Sequence, residues 1–313
     1  MRVPTLSPPA YRRVTLFALL ALTFIVVTGA AVRLTGSGLG CPDWPTCAEN
    51  SIVAPWEYHA MVEFVNRTIT GLVSVAVMLA VLGSLVRVPR RKDLLWLSLG
   101  LVAGVIGQIV LGGLTVLFEL KPGFVMAHFL LSMVLIANAV VLHHRAGRPE
   151  GPTRPAVGPD LLALGRLEIA AAALAIFAGT LVTSSGPHGG DEHAERLPFL
   201  LPDVARLHGI SVMLFLAVTL VTLVKLRRAG VEPSLLRRSE VLLAVLVAQG
   251  VLGYVQYFTG VPAVLVGFHV AGATAVWVAV LRLALAFRVP VATAGAASDG
   301  DSVGPWSVAL TSG

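Results

Sequence analysis

The sequence predicts an all-α integral membrane protein, with eight transmembrane helices arranged as two pseudo-symmetric four-helix bundles. Three observations carry that prediction. Of the 313 residues, 56% are hydrophobic and only 13% are charged. Apolar stretches of helix length recur along the whole chain, and features of its first half return in its second. Soluble domains carry about a quarter charged residues, so a chain with half that share is built for lipid.

A bilayer core of about 30 Å asks for roughly 20 apolar residues per helix. Runs of that kind place the spans at about 14–35, 63–86, 95–117, 124–143, 163–184, 204–225, 239–258 and 262–287. Proline is tolerated in a first helical turn, and Pro122, Pro202 and Pro262 mark the starts of the fourth, sixth and eighth spans. The first span follows Arg12 and Arg13 in the manner of a signal peptide. At about 22 residues it is longer than a signal core, and the repeat described below needs it as a helix.

The net charge of +6 is a topology signal rather than a nucleic-acid footprint. Loops on one side of the eight spans collect 18 of the 23 Lys and Arg residues, and the opposite side carries five against nine carboxylates. The positive-inside rule then predicts a multi-pass protein of the cell membrane, with both termini cytoplasmic and alternate loops outside. The bilayer is the partner this distribution demands, and nucleic acid is not. Cys41 and Cys47 lie in the first outer loop, on the oxidising side, where their spacing allows a small disulfide. A zinc site would need two further ligands, and no histidine cluster adjoins them.

The repeat is specific. Gln108-Ile-Val-Leu-Gly112 resembles Gln249-Gly-Val-Leu-Gly253, and each glutamine is followed twenty residues later by a histidine, His128 and His269. Asn66 precedes the first glutamine much as His208 precedes the second, and Gly29 to Gly36 parallels Gly179 to Gly186. Four spans per half give both halves one orientation, a parallel repeat. The predicted organisation is a cytoplasmic N-terminus (1–13), a first half (14–146), a Gly- and Pro-rich linker (147–160), a second half (161–288) and a disordered tail (289–313).

Ionisable groups at membrane depth are costly and read as functional. His208 and His269, in equivalent spans of one half, suit a bis-histidine haem cage. The ordinary alternative is a histidine bonded between helices as packing glue. His128 lies at similar depth in the first half. His143 and His144, beside Arg145, read as membrane-edge cations, whereas His188 and His193 belong to a glycine-rich outer loop and His59 precedes the second span. Glu63 and Arg67 stand four apart, which is ordinarily an intrahelical ion pair. Glu63 could instead handle protons at a substrate edge, and Arg67 could hold a propionate.

Taken together the motifs resemble those of the haem A synthase family. Arg33-Leu-Thr-Gly-Ser-Gly-Leu-Gly-Cys41-Pro-Asp-Trp-Pro-Thr-Cys47 looks like its first outer loop. Glu63-Phe-Val-Asn-Arg67, Gly112-Gly-Leu-Thr115, Ala127-His128, Leu207-His208-Gly209 and Phe268-His269 follow in that family's order, across about residues 14–287. The resemblance implies oxidation of the C8 methyl group of haem O to the formyl group of haem A, by two hydroxylations and loss of water, for cytochrome oxidase assembly. It implies a haem b cofactor between His208 and His269, and a first half that receives the substrate haem at His128, with Asn66 and Arg67 as contacts. Glu63 corresponds to the acidic residue considered catalytic, and Cys41 with Cys47 to a loop disulfide of many members. Haem O synthase (protohaem farnesyltransferase) and an unnamed electron carrier are implied partners, and a homo-oligomer is compatible. One departure stands out, because many members read Glu-x-x-His-Arg where this chain has Asn66. An amide is a poor iron ligand, which leaves His128 alone or His59 moving inward to assist. A b-type electron-transfer cytochrome needs the same histidines, and a transporter would share the duplicated halves.

Overall fold

A computed structural model describes residues 5–48 and 51–291. Its helices are α1 (Pro8–Leu34), α2 (Tyr58–Val86), α3 (Lys92–Leu117), α4 (Pro122–Ala146), α5 (Pro159–Ser185), α6 (Leu201–Arg228), α7 (Pro233–Phe258) and α8 (Ala263–Ala286). All eight are long and apolar enough to cross a membrane. The chain is an all-α, multi-pass membrane protein. The sheet among the described residues is one antiparallel pair of three-residue strands, β1 (Thr153–Pro155) and β2 (Arg288–Pro290).

Most helices begin several residues before the predicted spans. Apolar counting stops at the first Arg, Ser or Glu, but a helical backbone continues until its N–H groups lack partners. Pro8, Pro159 and Pro233 open α1, α5 and α7 as Pro122 opens α4. Ser7 caps α1, its side chain accepting from Ala10 N at 3.4 Å. The earlier start of α6 sets His208 seven residues into its helix, against six for His128 and His269. All three therefore lie at one depth, roughly 10 Å in.

The α3–α4 and α7–α8 turns share one conformation. Glu119 and Leu120 have φ values of 50° and 59°, and Gly260 and Val261 have 82° and 58°. Leu120 N donates to Thr115 O at 2.8 Å, and Val261 N donates to Gln256 O at 2.7 Å, five residues back in both cases. These positions stand in the same register as Gln108 and Gln249. A left-handed residue with a side chain costs about 1–2 kcal/mol, so helix packing on either side imposes these turns.

The loops gather at two ends, as the charge pattern predicts. At the basic end Leu6 N donates to Val86 O at 2.9 Å, Arg91 donates to the carbonyls of Arg145 and Arg148, and β1 pairs with β2. At the other end Gly38 N reaches Gly190 O at 2.7 Å, and Arg33 donates to the carbonyls of His188 and Thr183, both at 2.7 Å. The predicted linker is pinned, because Ala156 N donates to Phe287 O at 2.9 Å beside the strand pair. The tail expected to be disordered from 289 is corrected at its start. Val289 and Pro290 pair with Arg154 and Thr153, since backbone pairing is blind to the composition that suggested disorder. Residues 292–313 lie outside the described residues.

Helices α1, α4, α5 and α8 form the seam between the halves. Across it the Trp277 indole N–H donates to Met133 O at 2.9 Å, fully buried. An apolar groove of about 1450 Å³, lined by α1, α2, α7 and α8, opens beside this seam. Trp277→Phe keeps an aromatic ring but removes the donor and part of the buried indole volume, which should cost about 1–3 kcal/mol. A lowered thermal midpoint in detergent is the expected result, and an unchanged midpoint would show that the bond contributes nothing to the seam.

Candidate functional site

In the second half, α6 and α8 bring the imidazole rings of His208 and His269 together. Their ring centroids are 6.2 Å apart and their planes cross at 79°. The sequence makes room for both rings. A Cβ on Gly179 of α5 would sit 3.3 Å from His208 Cε1, and one on Gly253 of α7 would sit 3.3 Å from His269 Cε1. Ala175 O lies 3.0 Å from His208 Nδ1, so that nitrogen donates and the lone pair is left on Nε2. His269 Nδ1 is buried without a protein partner.

Among the described residues no three His, Cys, Asp or Glu side chains come together as a metal cluster. Two opposed imidazoles suit instead a metal whose other ligands come from a planar macrocycle. With each nitrogen about 2 Å from the metal, trans imidazoles put their ring centroids roughly 6 Å apart. The observed spacing fits.

The first half repeats part of this arrangement. His128 of α4 lies over Gly112 of α3, whose Cβ would sit 3.2 Å from His128 Cε1. Gln108 Nε2 donates to His128 O at 3.1 Å and to Ser132 Oγ at 2.8 Å, bracing that turn of α4. His128 Nδ1 is also buried without a partner. Opposite, the parallel fails. Gly29 of α1 occupies the place of Gly179, but a Cβ there would meet nothing within 4 Å. Asn66 is too short to cover it, and its Oδ1 accepts from Thr28 Oγ1 at 2.8 Å.

At the end of the bundle away from the basic one, α2 clamps the loop that joins it to α1. Glu63 is buried. Its Oε1 accepts from Arg67 Nε at 3.0 Å and Nη2 at 2.6 Å, and its Oε2 accepts from Cys41 N at 2.8 Å. Arg67 also donates to Cys41 O at 3.0 Å and Thr46 O at 2.8 Å, and to Asp43 O. The ion pair expected within the helix is present, and the guanidinium expected to meet a propionate is committed to loop carbonyls. Cys41 and Cys47 form a disulfide. The loop they close carries Trp44, whose ring lies against Gly113, 2.8 Å from where a Cβ would stand. Gly112, under His128, is the next residue.

A sequence profile of the family described as cytochrome oxidase assembly protein, COX15-CtaA, matches residues 12–57 and 53–187, more than half of the chain. The chain belongs to the COX15-CtaA family. Among curated COX15-CtaA-like relatives, the haem A synthase of Bacillus licheniformis is 27% identical over 124 residues, covering 39% of this chain and 41% of that protein. That of Shouchella clausii is 28% identical over 144 residues, 46% of this chain and 48% of its own. That of Geobacillus kaustophilus is 30% identical over 128 residues, 40% and 39% respectively. The chain thus spans two fifths to one half of the length of these relatives.

In this COX15-CtaA chain the remaining histidines stand apart from both sites. His59 Nδ1 lies 2.9 Å from Ser37 Oγ, exposed at the start of α2 rather than turned inward. His143 bonds Thr15 at 3.1 Å at the basic end. His188 Nε2 donates to Val261 O at 2.7 Å, tying the α5–α6 and α7–α8 loops together, and His193 is exposed beside Glu192. Trp44 escaped the sequence reading as a site residue; the Gly112-Gly113 pair, which leaves room on one helix face for two rings, was the available signal. Arg67→Lys keeps the charge but cannot serve both Glu63 and three loop carbonyls. Faster proteolysis between Cys41 and Glu57 is expected, and an unchanged cleavage rate would deny the clamp.

Proposed function

We propose that this chain is a haem A synthase that oxidises the C8 methyl group of haem O to a formyl group. Two successive hydroxylations give a hydrate, which loses water. The observation that carries this reading is the opposed pair His208 and His269, spaced for a metal macrocycle, in a chain of the cytochrome oxidase assembly family.

In this reading His208 and His269 hold haem b in the second half. When bound, that haem supplies one-electron redox chemistry. Ala175 O fixes the His208 tautomer so that the lone pair is left on Nε2, the nitrogen that would bind the iron. His128 holds the substrate iron from one side. Gly112 admits its ring, and Trp44 beside Gly113 roofs that half and shields it from water. Glu63 is assigned proton handling at the substrate edge; its bonds to Arg67 and Cys41 keep it aimed at the loop. Asn66 offers an amide contact on the open side, and Arg67 acts on the substrate through the roof it holds. The groove beside the seam begins at Ile69, three residues from Asn66, and includes Ala271, two from His269. A prenylated haem can approach along it from lipid. The proposal sets the protein in the cell membrane with the basic end and both termini cytoplasmic. Haem O synthase is the supplier of substrate, and a separate carrier exchanges electrons.

Three experiments test this. Pigments extracted after co-expression with a haem O source should contain new haem A; unchanged haem O would favour a b-type electron-transfer cytochrome. His208→Ala or His269→Ala should each remove the tightly bound haem by Soret absorbance, and full retention in both would refute the cage. Asn66→His should seat a ring over Gly29 and shift bound substrate haem toward a six-coordinate spectrum. An unaltered spectrum would show that this position is remote from the iron.

A further inference from the structure

Glu168 takes no part in the sites described above. It lies in α5 with no exposed surface, and neither carboxylate oxygen has a hydrogen-bond partner. Thr222 of α6 stands beside it, but that hydroxyl gives its hydrogen to Val218 O at 3.0 Å. Neighbouring Thr219 likewise donates to Phe215 O at 3.0 Å. Charged groups on the packed helices are engaged elsewhere or exposed. On α6, Lys225 pairs with Asp160 at 3.0 Å and Arg227 with Glu240 at 2.9 Å, while Arg228 is exposed. On α8, Arg282 stands near His143 of α4. Also on α4, Arg145 lies 3.6 Å from Asp93, and His144 faces Arg148 and Arg238. Arg166, on α5 itself, is exposed.

Its placement links it to the histidine pair. Glu168 and Ala175 are seven residues apart, two turns along one helix face and roughly 10 Å along the axis. Ala175 O is the acceptor that holds His208. A carboxyl without partners inside a bundle stays protonated unless a positive charge nearby compensates the ionised form. An oxidised haem with two neutral imidazoles has a net positive iron–porphyrin core. Reduction removes that charge, and a proton on the carboxyl restores the balance.

We propose that Glu168 is a redox-linked proton site of the second half. As one electron enters from a one-electron donor, one proton from water binds a Glu168 carboxylate oxygen, and both leave together on oxidation. This inference rests on the haem reading of His208 and His269, and its test separates the two.

The purified, haem-loaded chain is titrated spectroelectrochemically across a range of pH. The wild-type midpoint should fall as pH rises, by up to a tenfold change in the redox equilibrium per pH unit (about 59 mV for one electron). Glu168→Gln should keep the Soret band and lose the slope, and Glu168→Asp should keep the slope. The reduced-minus-oxidised infrared spectrum should gain a protonated carboxyl C=O band in the wild type and lack it in the glutamine variant. A flat wild-type midpoint, or a slope and band that survive Glu168→Gln, would overturn the proton site alone. A wild type without any haem spectrum would overturn the haem reading and this inference with it. Should the glutamine variant not fold, the wild-type slope and band, together with those of Glu168→Asp, decide.

Discussion

Polar side chains inside this bundle lie where water cannot satisfy them, and that constraint orders the molecule. The buried Glu63 carboxylate shows it best, because it is met by Arg67. The Arg67 guanidinium fork meets Glu63 and three loop carbonyls, so one side chain closes the α1–α2 loop over the first half. Gln108 braces α4 at the carbonyl of His128, and Ala175 holds His208. The polar atoms left over are as informative as those satisfied. His128 Nδ1, His269 Nδ1 and both Glu168 oxygens are buried without partners. Two of these belong to the histidines assigned to iron, and the third group lies two helical turns below the carbonyl that fixes His208.

The two histidine sites share their glycine–ring packing and differ at Asn66. A ring lies over Gly112, Gly179 and Gly253, and each of those glycines leaves the space the ring fills. Gly29 has the same opening with nothing above it, because Asn66 stands where a histidine would reach across. One half therefore holds two opposed imidazoles and the other offers one. A closed pair suits a resident cofactor, and an open side suits a molecule that enters, reacts and leaves. The proposed division of labour between a cofactor half and a substrate half rests on that difference.

Much of this was legible in the sequence, for identifiable reasons. Apolar runs located all eight helices because lipid tolerates little else, although proline-led starts followed by arginines hid the true starts of α1 and α7. The spacing from Gln108 to His128 and from Gln249 to His269 was visible as a pattern. The role of Gly112 and Gly253 beneath those rings was not, because it depends on which helix face meets which. Glu63 and Arg67 read as a pair by their spacing, but nothing in the sequence marks a loop carbonyl as an acceptor. Trp44 was hidden for the same reason. Glu168 did leave a signal, a lone acid within an apolar span, which carries weight only once its lack of partners is seen.

The central claim is that the imidazoles of His208 and His269 grip one iron from opposite sides, with planes near perpendicular. Low-temperature electron paramagnetic resonance of the oxidised, purified protein tests this most directly. Two neutral imidazoles at that angle should give a strongly anisotropic low-spin ferric signal. A purely high-spin signal, or no haem signal at all, would contradict the account.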